Sequence, residues 1–556
     1  MKIVSFHNGH NANFCLLDNN KIISHIELEK ELGIKNFGMK RENKNLLYEY
    51  LTNFQLKKVN WSLQEIDAFV FTTLNGYFGT WQETEFKNEC LDLIYDKNIK
   101  NPYKVFEKKW KNKNRIFFSV NHHISHLAYG YYTSPFQESL IIACDGRGEF
   151  NVSTVFANGT KNTIVPISDL LHFNDLNLEY NSIGMTFSYL GFLLDFLGKD
   201  LIQTPGKAMG LSSYGKYDEN FKEFIVDILK EKKQIKQKLE KIKKNNFKNS
   251  ESTEARNFLF TLQKESEDII INYLKKIKNK NKNLVVSGGV ALNVLINQKI
   301  RKSLFFDNIY IPPACNDMGN SIGAGLYFYH HFLNNKFDPI LWHNPYIGNE
   351  LNINHDKIQE KNLIKKTFKN FENLINFIVE KLIKGKIIGW VQDKIEIGPR
   401  ALGNRSILAN PMFKDSKDIV NKKVKHREYW RPFAPICIYE EAHKWFEINF
   451  ESPYMLEAVN ALPNVENIIP SVIHVDNTAR IQTLKRFQNE KLYKLLNCFY
   501  EKTKVPILLN TSFNDKNKPI LNNSCEAFNI INNTDLDLLC IGNTIWEKNN
   551  KNILHL

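Results

Sequence analysis

Short runs of apolar residues, each closed by a small polar turn, dominate the first 330 positions. The opening run KIVSF passes through a polar loop into FCLLD, turns at Asp18-Asn19-Asn20 and returns as KIISHIEL. Asn and Asp tolerate the backbone angles of tight turns, so this predicts a β-hairpin. Residues 47–59 and 86–94 carry helical spacing. Three later strands are predicted at ESLIIACD (138–145), KNLVVSGG (282–289) and NIYIPPA (308–314). The first ends in Gly146-Arg147-Gly148-Glu149, and the second in a Gly-Gly turn before the helix-like VALNVLINQKI. The third leads to CNDMGNSIGAGLYFYHHF, a polar turn and a small-residue helix. Three strand–turn–helix junctions carrying Gly and Asp predict an α/β fold with ligands at strand ends.

Periodicity lapses over residues 335–365, which read as a connector. It resumes with the helix NFENLINFIVEKLIKGK and the strand IIGWVQ. The chain therefore divides near residue 360, give or take about 15 residues, into units 1–360 and 361–556. No internal repeat is legible. A length of 556 residues exceeds what one core usually holds, and 43% hydrophobic residues suffice for packed cores. No apolar run reaches the roughly 18 residues of a membrane span, and the polar start MKIVSFHNGH does not read as a signal peptide. The eight cysteines form no C-x-x-C pair and mostly lie in apolar runs, which predicts buried thiols in a reducing cytoplasm. The formal charge is +14. Much of it lies in residues 229–248, where interleaved glutamates predict a solvated helical face. Nucleic acid is not the expected partner; a small anionic substrate fits the charge equally well.

Two constellations carry chemistry. His122 and His126 in NHHISHLAYGYY are spaced i, i+4, so a helix presents both imidazoles on one face, while His123 lies on another. Asp145 ends a strand beside glycines, and Asp317 occupies the corresponding turn of a later strand. Two His and two Asp form a mixed N/O set suited to Fe(II), Mn or Zn. Gly288 and Gly289 allow a ligand to approach the backbone before a helix N-terminus. His10 follows the first strand and is a catalytic or ligand-contacting candidate. The last third carries EIGPRALGNRS with Arg400 and Arg405, then KHRE with Lys425, His426 and Arg427, then Arg431 in RPFAP. It continues with His474, Asp476 and Arg480 in HVDNTARIQ and with Ser512 in NTSFN. Guanidinium groups on rigid Pro/Gly loops hold phosphate oxygens bidentately, and lysine adds a point charge.

Taken together and in this order, these segments resemble the O-carbamoyltransferase family of nodulation-factor and tobramycin carbamoyltransferase type. The resemblance is carried by GHNANFCLL, NHHISHLAYGYYTSPF, DGRGE, GKAMGLSSYG, VVSGGVALN and PACNDMGNSIGAG. It continues through EIGPRALGNRSILANP, VKHREYWRPFAP, HVDNTARIQT and PILLNTSFN. It implies an actin/Hsp70-like ATPase domain similar to that of threonylcarbamoyl-transfer enzymes, followed by a YrdC-like α/β domain. The second would make carbamoyl adenylate from carbamoyl phosphate and ATP, with Mg as the ATP complex. The first would pass the carbamoyl group to an acceptor hydroxyl on a sugar or natural product. By this resemblance His122, His126, Asp145 and Asp317 match the metal ligands, with Fe(II) as the ion. Arg400, Lys425, Arg431, Arg480 and Ser512 match the residues that bind ATP and carbamoyl phosphate. His10, Gly288, Gly289 and Asn293 match the carbamoyl adenylate site of the first domain. His10, Lys425 and Arg431 are the catalytic candidates, and Lys207 and Asp218 lie near the nucleotide by position only. A tRNA threonylcarbamoyl-type modification enzyme is the alternative built from the same domains. The acceptor is not readable, and a homodimer is compatible with the sequence without being fixed by it.

Overall fold

In the computed structural model the chain forms two compact units, one of Met1–Glu29 with Asn36–Trp342, the other of Lys30–Lys35 with His343–Leu556. The structure describes residues 1–38, 46–73, 103–110, 113–146, 153–167, 183–230, 234–241, 247, 249–278, 281–339, 344–353 and 362–549. The helix expected at 86–94, the residues Arg147-Gly148-Glu149 and the expected division near 360 lie outside them.

The first unit holds two sheets. One contains β1 (Lys2–His7), β2 (Asn13–Asp18), β3 (Lys21–Glu27), β4 (Ala68–Thr73), β5 (Tyr103–Trp110) and β6 (Lys113–Asn121), in the order β3-β2-β1-β4-β6-β5. The other contains β7 (Glu138–Cys144), β8 (Thr154–Thr160), β9 (Thr163–Pro166), β10 (Asn283–Ser287) and β11 (Asn308–Tyr310), in the order β11-β10-β7-β8-β9. In each, an antiparallel meander of three strands has its first strand flanked by two successive parallel strands. The repeat that the sequence hides is thus a repeat of topology. A duplicated meander with parallel additions is the plan of the actin/Hsp70-type ATPase fold. The central strands are apolar because both faces are covered; in β1, Ile3 through His7 are all buried.

Two helices set the active geometry. His122–Tyr132 starts at Asn121, whose side chain accepts the N–H groups of His123 (2.9 Å) and Ile124 (3.3 Å). Every residue of this helix is buried, which is why it shows no polar face. The helix Asn320–Leu326 lies against it. A Cβ added at Gly323 would sit 2.0 Å from the Ser125 carbonyl oxygen, so the small-residue run NSIGAG exists to let two backbones meet.

The second unit is built on an eight-stranded sheet ordered β12-β21-β20-β13-β14-β19-β15-β18. Its strands are β12 (Leu363–Thr367), β13 (Ile388–Val391), β14 (Arg405–Ala409), β15 (Ala434–Ile438), β18 (Gln482–Leu484), β19 (Ile507–Ser512), β20 (Leu538–Ile541) and β21 (Thr544–Lys548); β16 (Ala458–Asn460) and β17 (Thr478–Arg480) pair separately. Helices Phe371–Ile383 and Glu490–Thr503, each N-capped by an asparagine, bury Leu374, Ile378 and Leu382 with Leu492, Leu495 and Phe499 in one core. The end of the expected connector is strand β12. It is an edge strand whose LIKKT residues are mostly exposed, so it lacks the apolar alternation that marks strands.

The lysine-rich stretch is divided between helices Glu219–Lys230 and Ile235–Lys241. The seven described cysteines are free thiols. Among the described residues no helix is long and apolar enough to cross a membrane.

Candidate functional sites: a His/Asp centre and a cationic loop cluster

Helix His122–Tyr132 delivers His122 and His126 one turn apart. The ends of β7 and of the turn after β11 bring Asp145 and Asp317 to them. One ligand atom from each of these four buried residues lies within 4.8 Å of the others. His122 Nε2 and His126 Nε2 are 3.1 Å apart. His122 Nε2 is 3.2 Å from Asp145 Oδ2 and 3.4 Å from Asp317 Oδ1, and His126 Nε2 is 3.2 Å from Asp317 Oδ1 and 3.8 Å from Asp145 Oδ2. Ligands bound at about 2.1 Å stand about 3.0 Å apart at 90° and about 3.4 Å apart at the tetrahedral angle. The spacings therefore fit one shared cation. The buried charges agree: two carboxylates converge here, and each raises the cost of ionising the other. Burial and this repulsion oppose Asp145, yet the facing imidazoles hold it well below the usual carboxylate range. Asp317 is held low likewise, against burial, by the charges of His10 and His122.

The surroundings orient the ligands. The second oxygen of Asp145 accepts the Gly289 N–H at 2.8 Å. Asn320 Nδ2 lies 3.3 Å from His122 Nδ1, 3.3 Å from His126 Nε2 and 3.5 Å from Asp317 Oδ1. Asn13 Nδ2 donates to the Asp317 carbonyl at 2.9 Å. On the other side of Asp317, Oδ2 is approached by His7 Nε2 (3.4 Å) and His10 Nε2 (3.3 Å). His7 is fully buried, meets Thr72 Oγ1 at 2.7 Å and is pushed down by burial. His10 is half-exposed, its Nδ1 lies 3.1 Å from Asn11 Oδ1, and although burial works against its charge the Asp317 carboxylate raises its pKa. His123 is buried but turned away, and burial pushes its pKa down to about 3; it joins no ligand set.

Sequence reasoning missed His7, Asn13, Thr72 and Asn320. His7, three positions before His10, was the one visible signal.

Gly288 has φ +87° and a Cβ there would lie 2.2 Å from the Cys144 carbonyl oxygen, so the turn after β10 can pass beside β7 only as glycine. Asn293 caps the helix Val294–Lys302, accepting the Leu295 and Ile296 N–H groups at 3.2 and 3.1 Å, and donates to Gln263 at 2.9 Å. Its amide is thus engaged in local structure. Lys207 donates to the Leu197 carbonyl at 3.0 Å. Asp218 holds the turn before helix Glu219–Lys230 by accepting from the Asn220 backbone N–H at 3.0 Å.

The second unit gathers its cations on loops. Arg400 rides on the segment from Glu396 to Arg405, which folds around a buried carboxylate. Glu396 Oε1 accepts four backbone N–H groups, from Leu402 (2.7 Å) and from Gly403, Asn404 and Arg405 (3.2 Å each). Arg405, fully buried, donates to the carbonyls of Gln392, Asn404 and Asp393 and to Asn522 Oδ1; burial pushes its pKa down to about 10. It is a scaffold residue and not part of the anion site. The ammonium of Lys425 donates to the Ser512 carbonyl (2.7 Å), Ser512 Oγ (3.3 Å), the Asn514 carbonyl (2.8 Å) and Asn514 Oδ1. Lys425 and Ser512 are therefore together, with Asn514 as a further partner.

Arg427, Arg431 and Arg480 complete the cluster. Burial, reinforced by Arg400, Arg427 and Arg431, pushes the Arg480 guanidinium well below its usual range. Arg427 is depressed by burial and by Arg431. Arg427 stacks over Phe433 at 4.6 Å and donates to Asn421 at 2.7 Å, while its Nη2 and the Nε of Arg480 are buried without a hydrogen-bond partner. Arg431 has Glu428 at 3.6 Å. Like charges gathered with buried donors unmet have the chemistry to hold a multiply charged anion. His474 and Asp476 face each other at 3.4 Å.

The family described as Carbamoyltransferase N-terminus matches residues 2–326, and Carbamoyltransferase C-terminus matches residues 379–548. Over 452 residues the chain is 32% identical to nodulation protein NolO of Bradyrhizobium diazoefficiens, covering 76% of this chain and 78% of that one. Over 456 residues it is 32% identical to nodulation protein NolNO of Sinorhizobium fredii, covering 78% of this chain but 64% of that one, less than two thirds. It is 31% identical over 265 residues to the 3'-hydroxymethylcephem-O-carbamoyltransferase of Streptomyces clavuligerus, covering 48% of this chain and 49% of that enzyme. The chain belongs to the carbamoyltransferase family and is an enzyme of that class.

Proposed function

We propose that the chain is a two-step O-carbamoyltransferase, in which the second unit activates the carbamoyl group with ATP and the first delivers it to an acceptor hydroxyl. The observation that carries this reading is the pair of unlike sites: an N/O ligand set in one unit, and a cluster of mutually repelling guanidinium groups around Arg480 in the other. Resemblance adds that the second unit is YrdC-like.

In the second unit, water would cleave carbamoyl phosphate to carbamate and phosphate. A carbamate oxygen would then attack the α-phosphorus of ATP, giving carbamoyl adenylate and releasing pyrophosphate. Carbamate alone is a poor acyl donor, and the adenylate supplies a good leaving group. Arg400, Arg431 and Arg480 would hold phosphate oxygens and stabilise the charge that builds on pyrophosphate. Lys425 would add a point charge while keeping Ser512 and Asn514 in place.

In the first unit, His122, His126, Asp145 and Asp317 would hold a divalent ion, with Fe(II) the ion the resemblance implies. Such an ion supplies Lewis-acid polarisation of nucleotide oxygens. The Gly288-Gly289 turn would admit the adenylate backbone-first. His10, whose Nε2 lies 3.3 Å from Asp317 Oδ2, would accept the proton of the acceptor hydroxyl. That oxygen attacks the carbamoyl carbon, the C–O bond to AMP breaks, and AMP leaves. The acceptor we infer is a hydroxyl of a sugar or natural product.

The test is incubation with carbamoyl phosphate, ATP–Mg and Fe(II) against a panel of glycans and hydroxylated natural products, followed by mass spectrometry. A product heavier by one carbamoyl group, formed together with AMP and pyrophosphate, is expected. Carbamoylation that proceeds without ATP consumption would overturn the two-step reading.

A further inference from the structure

The segment Lys30–Lys35 is separated in sequence by Asn36–Trp342 from the body of the second unit yet packs as part of it. Lys30 is 2% exposed, and its ammonium donates to the carbonyls of Glu396 and Gly398, both at 2.8 Å. Both carbonyls lie in the segment Glu396-Ile397-Gly398 that leads into Pro399-Arg400. The neighbouring residues are fastened too. Glu31 Oε1 accepts from Asn522 Nδ2 at 3.0 Å, and Asn522 Oδ1 accepts from the buried Arg405 at 3.1 Å. Gly33 has φ +67°, leaves only 2.4 Å between an added Cβ and Glu526 Oε1, and accepts from Lys518 at 3.3 Å.

We propose that this strap is a working part of the anion site, with Lys30 a positioning residue that fixes the loop presenting Arg400. The loop has two anchors on opposite polarity. The Glu396 carboxylate collects the N–H groups of residues 402–405, and the Lys30 ammonium collects the carbonyls of 396 and 398. Between them Pro399 fixes its own φ, so Arg400 has little freedom left. A buried ammonium on two carbonyls is a costly device unless it orders something, because an ordinary apolar side chain would fill the space without desolvating a charge. The functional consequence is that the anion site draws on residues from both ends of the chain.

The inference rests on the anion-site reading above but not on carbamoyl chemistry. The test uses the full chain with Lys30→Met and Glu31→Ala variants. Inorganic pyrophosphate and ATP binding are measured by calorimetry, alongside KM and kcat for pyrophosphate formation and thermal melting. Lys30→Met should weaken pyrophosphate binding and raise KM for ATP about tenfold or more, with a smaller effect on kcat. Glu31→Ala removes the bond from Asn522 to the strap and should raise KM for ATP about threefold. If Lys30→Met does not fold, Glu31→Ala still decides. Wild-type KM in Glu31→Ala, or a lowered melting point with wild-type KM in Lys30→Met, would overturn the proposal. Weakened pyrophosphate binding in a chain that makes no carbamoyl adenylate would leave the strap standing and the proposed function refuted.

Discussion

Replacing Glu396 by Gln removes one charge and little else, which makes it a sensitive probe of how the Arg400 loop is held. In the native chain one oxygen, Oε1, serves four backbone N–H groups, one at 2.7 Å and three at 3.2 Å. The side chain is fully buried, so solvent does not soften the change. A glutamine oxygen accepts the same bonds, but as a neutral acceptor. Charge-assisted bonds are worth roughly 1.5–3 kcal/mol and neutral ones about 1 kcal/mol. The shared oxygen and the three long contacts reduce the difference, so about 0.5–1 kcal/mol per bond, or about 2–4 kcal/mol in all, is expected. The new amide adds a cost, because Oε2 has no hydrogen-bond partner and an NH2 in its place brings donors to a site without an acceptor. Arg405 also loses a nearby countercharge. For a unit of this size about 2–4 kcal/mol corresponds to a drop of about 5–15 °C in the second unit's melting temperature. Differential scanning calorimetry resolves that transition, and the ATP KM should rise in parallel as Arg400 loses its placement. A variant melting within 1 °C of wild type with unchanged KM would refute the view that this carboxylate organises the loop.

Arg480→Met should raise the melting temperature of the ligand-free second unit by a few degrees, because it relieves repulsion from Arg400, Arg427 and Arg431, while sharply weakening ATP binding; a destabilised variant would contradict the charge balance. Gly323→Ala forces a Cβ toward the Ser125 carbonyl and should cost about 1–3 kcal/mol or more, with loss of bound metal by elemental analysis because Asp317 and His126 separate. Burial holds His330 below its ordinary pKa of 6.5, so the folded first unit binds fewer protons than the unfolded chain below that pH. The stability involved is fully present above pH 6.5 and is lost as pH falls through the lower folded value. His330→Phe should flatten the acid side of the melting profile, and an unchanged slope would count against this assignment.

The sequence reveals some features and conceals others for physical reasons. The His122/His126 pair is visible because a helix imposes i, i+4 spacing, and Asp145 and Asp317 because each ends an apolar strand. Asn320 and Thr72 are not visible: each is a single polar residue whose position beside the imidazoles depends on strand and helix packing. The duplicated sheet plan leaves no sequence repeat, since a meander with parallel additions constrains hydrophobic pattern and not residue identity. Strand β12 looks like connector in the sequence because an exposed edge needs no apolar face. Arg400 and Arg405 look alike in EIGPRALGNRS, and only the folded chain shows that the Arg405 guanidinium is occupied by carbonyls and Asn522. The place of the strap is not legible either, because no local pattern records that Lys30 meets residues 366 and 368 positions later.

The most direct test of the two-step account is carbamoyl-phosphate-dependent exchange of labelled pyrophosphate into ATP, measured without acceptor in wild type, Arg431→Ala and His126→Ala. The account predicts exchange in wild type, its loss in Arg431→Ala, and its retention in a His126→Ala chain that no longer transfers the group. Absence of exchange in wild type, or equal loss in both variants, would contradict the assignment of activation to the second unit and delivery to the first.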